Sequence, residues 1–143
     1  MDALTLLRDA GWHPGREVDT ARDVAALVAE GYEVTEAAQR FLREYSGLTI
    51  SGHTNPNPIV IDGVTVARNA DVGWCELYSD AIGSTLVPVG EYSNMVLYVD
   101  QGGEIWGGFD NDYGRGGSSL EEIVKGLFIE QPGWRFDRRI ELD

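Results

Sequence analysis

The sequence predicts an α+β fold: N-terminal helices, a central and largely antiparallel sheet, and a C-terminal helix. Three observations predict it. Apolar residues at helical spacing, bounded by cap and stop residues, fill the first fifty positions. Short β-branched runs separated by turn residues fill the middle of the chain. Helical spacing then returns after Ser118. Helices and strands that segregate in this way favour an antiparallel sheet over repeated strand–helix–strand units. A length of 143 residues fits a single domain, 1–143.

Each element has a local reason. Asp2 is a helix N-cap and Gly11 a stop, which predicts a short helix over 2–10. A second helix runs from about Thr20 to Glu30, with Val24, Leu27 and Val28 on its apolar face. Thr35 caps a third, with Ala38, Phe41, Leu42 and Tyr45 at helical spacing before Gly47. Leu48-Thr49-Ile50 reads as a strand. Ile59-Val60-Ile61 and Val64-Thr65-Val66, joined by Asp62-Gly63, read as a two-residue hairpin. Asp71 caps a helix over 72–82 whose apolar set is Trp74, Leu77, Tyr78, Ala81 and Ile82. Strands follow at Leu86–Val89 and Met95–Val99, then a turn at Gln101-Gly102-Gly103 into Glu104-Ile105-Trp106. The stretch from Gly107 to Gly117 reads as a glycine-rich loop. Ser118 with Glu121 makes a capping box for a last helix to about Glu130, with Leu120, Ile123, Val124, Leu127 and Phe128 as its core stripe. The expected core is Val24, Leu27, Phe41, Leu42, Trp74, Leu77, Ile82, Leu97, Ile123, Leu127 and Phe128.

Charge narrows the function. Eleven Lys+Arg stand against 24 Asp+Glu, a net charge of −13. Residues 51–113 carry Arg68 alone against nine acids. A nucleic-acid binder needs a basic footprint to displace counterions, and an anionic membrane asks for the same. Neither partner is expected; a basic protein partner is. No apolar run approaches 18 residues, and the N-terminus lacks the basic region of a secretory signal. One cysteine, Cys75, makes no internal disulfide, so the expected location is the cytoplasm.

The motifs that could carry chemistry are weak. Cys75 sits beside Glu76, and an adjacent acid raises a thiol's pKa where a nucleophile needs it lowered. His13 and His53 are loop residues with no spacing that pairs them with it. Asp110-Asn111-Asp112 with Glu121 matches an EF-hand loop at positions 1, 3 and 12, but Gly114 and Arg115 occupy positions 5 and 6. Gly-Arg-Gly-Gly-Ser-Ser before the last helix offers amides to an anion, yet Glu121 and Glu122 in the first turn repel one. No catalytic residue, cofactor or metal is expected. In Gly11-Trp12-His13-Pro14-Gly15-Arg16, Pro14-Gly15 forms a type II turn, Trp12 packs across it and Arg16 reaches a carboxylate.

Three blocks in order carry a family resemblance. Gly11-Trp12-x-Pro14-Gly15-Arg16, Ala38-x-x-Phe41-Leu42-x-x-Tyr45-x-Gly47-Leu48 and Ile82-Gly83-x-x-Leu86-x-Pro88-Val89-Gly90 resemble the SUKH superfamily of bacterial immunity proteins, its third immunity subfamily above all. Val99-Asp100-x-x-Gly103-x-Ile105-Trp106 is similar to that family's strand–turn–strand, and the resemblance spans about 9 to 130. Ser46 departs from it, standing where a glycine is expected, with an effect confined to a turn. The resemblance implies a non-catalytic α+β binding fold that neutralises a cognate toxin domain, often a nuclease or deaminase. Other branches of the superfamily act as scaffolds or regulators, which is the alternative reading.

The expected partner surface is acidic. On the helix over 72–82, Glu76 and Asp80 lie opposite the apolar face. These like charges four residues apart cost a helix roughly 0.2–0.5 kcal/mol. Glu91, Asp100, Glu104, Asp110 and Asp112 are expected to extend the patch toward a basic toxin.

Overall fold

Asp2, Thr35 and Asp71 each cap the helix that the sequence assigns to them. In the computed structural model, which describes residues 2–130 and 133–142, Asp2 accepts the Thr5 N–H at 2.8 Å. Thr35 accepts from Ala38, and Asp71 from Gly73 and Trp74. These side chains satisfy backbone donors that the first helical turn leaves unpaired. They open α1 (Ala3–Asp9), α3 (Glu36–Tyr45) and α5 (Val72–Ile82); α2 (Ala21–Ala29) lies between the first two. Gly83 ends α5 at φ 81°, a left-handed conformation that suits glycine.

Among the described residues the strands are β1 (Thr49–Ile50), β2 (Ile59–Ile61), β3 (Val87–Tyr92), β4 (Met95–Val99), β5 (Ile105–Phe109), β6 (Asp112–Gly117) and β7 (Arg138–Arg139). They form one antiparallel sheet in sequence order, each strand paired with the next. The fold is α+β, as the sequence predicts. Leu97, Val99 and Ile105 are buried on the face covered by α1, α3 and α6 (Leu120–Val124). Tyr98 and its register partner Trp106 point to the opposite face. There Tyr78 of α5 meets Tyr98 edge-on, with ring centroids 5.6 Å apart, and meets Tyr113 at 5.1 Å. Such aromatic pairs add roughly 0.5–1.5 kcal/mol beyond the area they bury.

The expected hairpin at 59–66 is instead a strand followed by a helix. β2 ends at Ile61, and α4 (Gly63–Asn69) begins at once. Asp62 is its N-cap, accepting from Val64 at 3.0 Å and Thr65 at 3.1 Å. Gly63 does not take the positive φ that a hairpin turn of type I′ demands. A side chain there would collide with Asp23. Val66 and Ala67 are buried where α4 packs on α2 and β3, so capping and burial override the β-propensity of Val-Thr-Val.

The glycine-rich stretch is a strand pair, β5 and β6. Its glycines admit rings brought from elsewhere. Tyr78 lies against Gly108, and Trp134 lies across Gly107 and Gly116. The last helix caps one residue later than expected: Ser119 accepts from the Glu122 N–H, and Glu122 accepts from the Ser118 N–H. After Val124 it widens into a π-helical turn, Lys125–Ile129.

Six expected core residues are buried: Leu27, Leu42, Leu97, Ile123, Leu127 and Phe128. Val24, Phe41, Trp74 and Ile82 are half-buried. Leu77 is 38% exposed, because Cys75 and Tyr78 hold the inner face of α5. On α2 the face is turned in the same way. Val28 is 57% exposed, and Asp23, four residues before Leu27, is buried. At the first loop, Arg16 donates to the carbonyls of Glu44 and Ser46 rather than to a carboxylate. Trp12 takes the Glu44 carboxylate, through its Nε1 at 2.9 Å.

Candidate partner-binding surface

α5 holds the two acids expected to centre the surface. Burial of Cys75 and Tyr78 orients the helix, so Glu76 and Asp80 are exposed. Neither is in an ion pair or hydrogen bond among the described residues. The backbone after α2 brings in Glu33, which the sequence does not single out. Gly31, Tyr32 and Glu33 face Glu76, Ser79 and Asp80 across a hollow of about 300 Å³. Three carboxylates line this hollow.

The other five acids have structural partners or lie elsewhere. Asp100 is only 8% exposed. Its Oδ1 accepts the Gly102 and Glu104 N–H groups at 2.9 and 3.0 Å, and its Oδ2 accepts Trp106 Nε1 at 3.0 Å. It builds the β4–β5 turn and leaves the expected surface, since a carboxylate that offers its oxygens to internal donors has little to give a partner. Glu104 pairs with Arg115 at 2.6 Å and also accepts from Ser118. Glu91 accepts Asn69 Nδ2 at 3.0 Å. Asp112 pairs with Arg139 at 3.0 Å. Asp110 is exposed at the β5–β6 turn with φ 52°, and its carbonyl accepts the Tyr78 hydroxyl. Glu104 and Asp110 flank β5 at opposite ends, about 20 Å apart at 3.3 Å per residue. Of the seven acids, only Glu76 and Asp80 line the same hollow.

Chemistry of other kinds finds little support in the geometry. Cys75 is buried, and its Sγ–H donates to the Leu86 carbonyl at 3.3 Å. Burial pushes its pKa up to about 12, with the Glu76 charge adding to the rise against a hydrogen bond from Ser79. A thiol held protonated is no nucleophile near neutral pH. Among the described residues, no three His, Cys, Asp or Glu side chains gather as a metal site. Asp110-Asn111-Asp112 is the turn between β5 and β6. No helix among the described residues is long and apolar enough to cross a membrane.

Two aromatic residues escape a reading of charge. Phe109 and Phe136 are 43% and 40% exposed, and they line one hollow together with Trp134. Phe109 lies hidden in the sequence among glycines that read as a loop, and Phe136 follows the last predicted element.

Comparison with known proteins decides the family. Residues 1–130 match the family model of the SUKH-3 immunity proteins. The chain belongs to the SUKH-3 immunity protein family. No curated protein and no solved structure matches the chain. The family match takes in α1 to α6 and six of the seven strands, from β1 to β6. The segment 133–142, with Trp134, Phe136 and β7, lies outside the SUKH-3 match.

Proposed function

We propose that this SUKH-3 immunity protein binds and neutralises a cognate toxin domain, a basic nuclease or deaminase, in the cytoplasm of the cell that makes both. It does so by occlusion, without catalysis of its own and without engaging nucleic acid or membrane. Membership of an immunity family over residues 1–130 is the observation that carries this reading. The charge supports the nature of the partner. A protein of net charge −13 complements a domain whose own groove must attract phosphates. Glu76 and Asp80, exposed and without an ion pair or hydrogen bond among the described residues, are the first contacts assigned to it, with Glu33 beside them. Glu91, Glu104, Asp110 and Asp112 lend longer-range attraction.

Co-expression tests the reading. The toxin domain encoded beside this gene should arrest growth when expressed alone, and this protein should restore growth and co-purify with the toxin. Continued arrest, with no complex between the two purified proteins at low salt, would overturn it.

A further inference from the structure

The hollow between Tyr32 and α5 has a buried floor and a charged rim. Tyr32, Cys75 and Leu86 line it and are buried, while Glu33, Glu76 and Asp80 line it and are exposed. On the floor, Cys75 Sγ–H donates to the Leu86 carbonyl, and Ser79 Oγ accepts the Leu86 N–H at 3.0 Å. Tyr32 is 6% exposed, and its hydroxyl has no such partner. It is the single buried side-chain polar atom without a hydrogen bond among the described residues. Burial strips a hydroxyl of the bonds that water supplies, so an unmade bond at this position calls for a reason.

The surroundings select a cation. No Lys or Arg occurs in 23–39 or in 69–114, the two segments that hold every residue of the hollow. Its three carboxylates make no ion pair or hydrogen bond among the described residues. α2 ends just before Gly31, Asp80 lies in the last turn of α5, and neither helix has a basic residue in its last turn. Helix C-termini carry partial negative charge, which an acid aggravates and a cation relieves. Burial raises the Tyr32 pKa, so the hydroxyl stays protonated near neutral pH. Its oxygen is then an acceptor for an ammonium or guanidinium N–H, and its proton is free for a carboxylate. Val72 and Leu86 offer apolar wall to the methylene stem behind such a charge.

We propose that this hollow receives one lysine or arginine side chain of the toxin, its charge among Glu33, Glu76 and Asp80 and its N–H bonded to the Tyr32 hydroxyl. The inference rests on the proposed function and deepens it, turning a general attraction between opposite charges into one seated cation. The hydroxyl is occluded in the free protein, so seating the cation takes a side-chain adjustment of the kind common at interfaces.

The probe is the toxin domain encoded beside this gene, inactivated at its active site and titrated against full-length protein. Tyr32→Phe removes the hydroxyl and keeps the ring. It should raise Kd roughly 10-fold or more through faster dissociation, because a neutral group on the floor does not steer encounter. The melting temperature of the free variant should hold or rise, since an unpartnered polar atom is gone. In a Glu76→Gln background the cost of Tyr32→Phe in Kd should shrink, as it does for two groups that hold one ion. An unchanged Kd on Tyr32→Phe, or an equal cost in both backgrounds, overturns the seated cation and leaves the proposed function intact. A lowered melting temperature with unchanged Kd assigns the hydroxyl to an internal water and also overturns it. Failure of the unaltered protein to bind the toxin overturns both.

Discussion

The Ser46 hydroxyl donates a hydrogen bond to Asp23 Oδ2 at 2.7 Å, and both residues are buried. Asp23 Oδ1 accepts the Val64 N–H at 3.2 Å, so one carboxylate joins α2, the end of α3 and the start of α4. Ser46 stands where the family resemblance leads one to expect glycine, and its effect reaches well beyond a turn. A buried carboxylate needs partners for its oxygens, and glycine supplies no side-chain donor. The replacement Ser46→Gly should therefore cost about 1–3 kcal/mol in urea unfolding. A change within 0.5 kcal/mol, on the order of surface substitutions, would show that water replaces the hydroxyl without loss.

Gly116 faces the Trp134 ring and Ile123 with no room for a methyl group. Gly116→Ala should cost about 1–3 kcal/mol by overpacking. In a Trp134→Ala background the cost should shrink, and a double-mutant cycle measures the difference. Equal costs in both backgrounds would place the strain elsewhere.

The two faces of α3 and α5 predict opposite outcomes for two leucines. Leu42 is fully buried, and Leu42→Ala should lose about 2–5 kcal/mol through lost burial and the cavity left behind. Leu77, on the outer side of α5, should accept Lys within about 0.5 kcal/mol. A large loss at Leu77 would mean that α5 packs on its other face.

Cys75 makes stability depend on alkaline pH. Its thiol rises from an ordinary value of 9.0 to about 12 on folding, through burial first and the neighbouring Glu76 charge after it. Below pH 9 both states hold the proton, and the full contribution is present. Above pH 9 the unfolded chain releases it while the folded chain does not, so stability falls toward pH 12. Burial raises Tyr32, Tyr45, Tyr78 and Tyr98 as well, adding the same sign at higher pH. The urea midpoint should drop between pH 8 and pH 10, and Cys75→Ala should shrink that drop. An unchanged drop in the variant would remove Cys75 as a source.

The outer face of α5 predicts a kinetic effect. Glu76→Lys with Asp80→Lys should slow association with the toxin domain and flatten its salt dependence, since rim charges act mainly on the on-rate. The melting temperature should hold or rise slightly as the like-charge pair is removed. Unchanged association at low salt, with the fold intact, would assign these acids to solubility alone.

Helix starts were legible because their signals are local. Asp2, Thr35 and Asp71 carry side chains that bond N–H groups two or three residues on, so no distant residue is needed to read them. The misreadings share a different cause. α4 exists because Asp62 caps it while Asp23, far away in sequence, packs against its start. The strands β5 and β6 are glycine-rich because Trp134 and Tyr78 supply the missing bulk. At the candidate surface, exposure of Glu76 and Asp80 followed from helical spacing. The burial of Asp100 depends on Trp106 returning across the turn, and the aromatic groove depends on a tail folding back. Long-range partners leave no mark in the spacing of a single segment.

A sheet whose strands pair in chain order has a consequence for synthesis. Each strand from β2 to β6 meets its neighbour as soon as both have left the ribosome, with no later segment needing to insert between them. The longest excursion between paired neighbours within that run is the α4–α5 detour from β2 to β3. α6 and the layer formed by Trp134, Phe136 and β7 follow once β6 is in place. Growth of the sheet can therefore keep pace with translation, and the Trp134 ring closes over β5 and β6 only after both strands are paired.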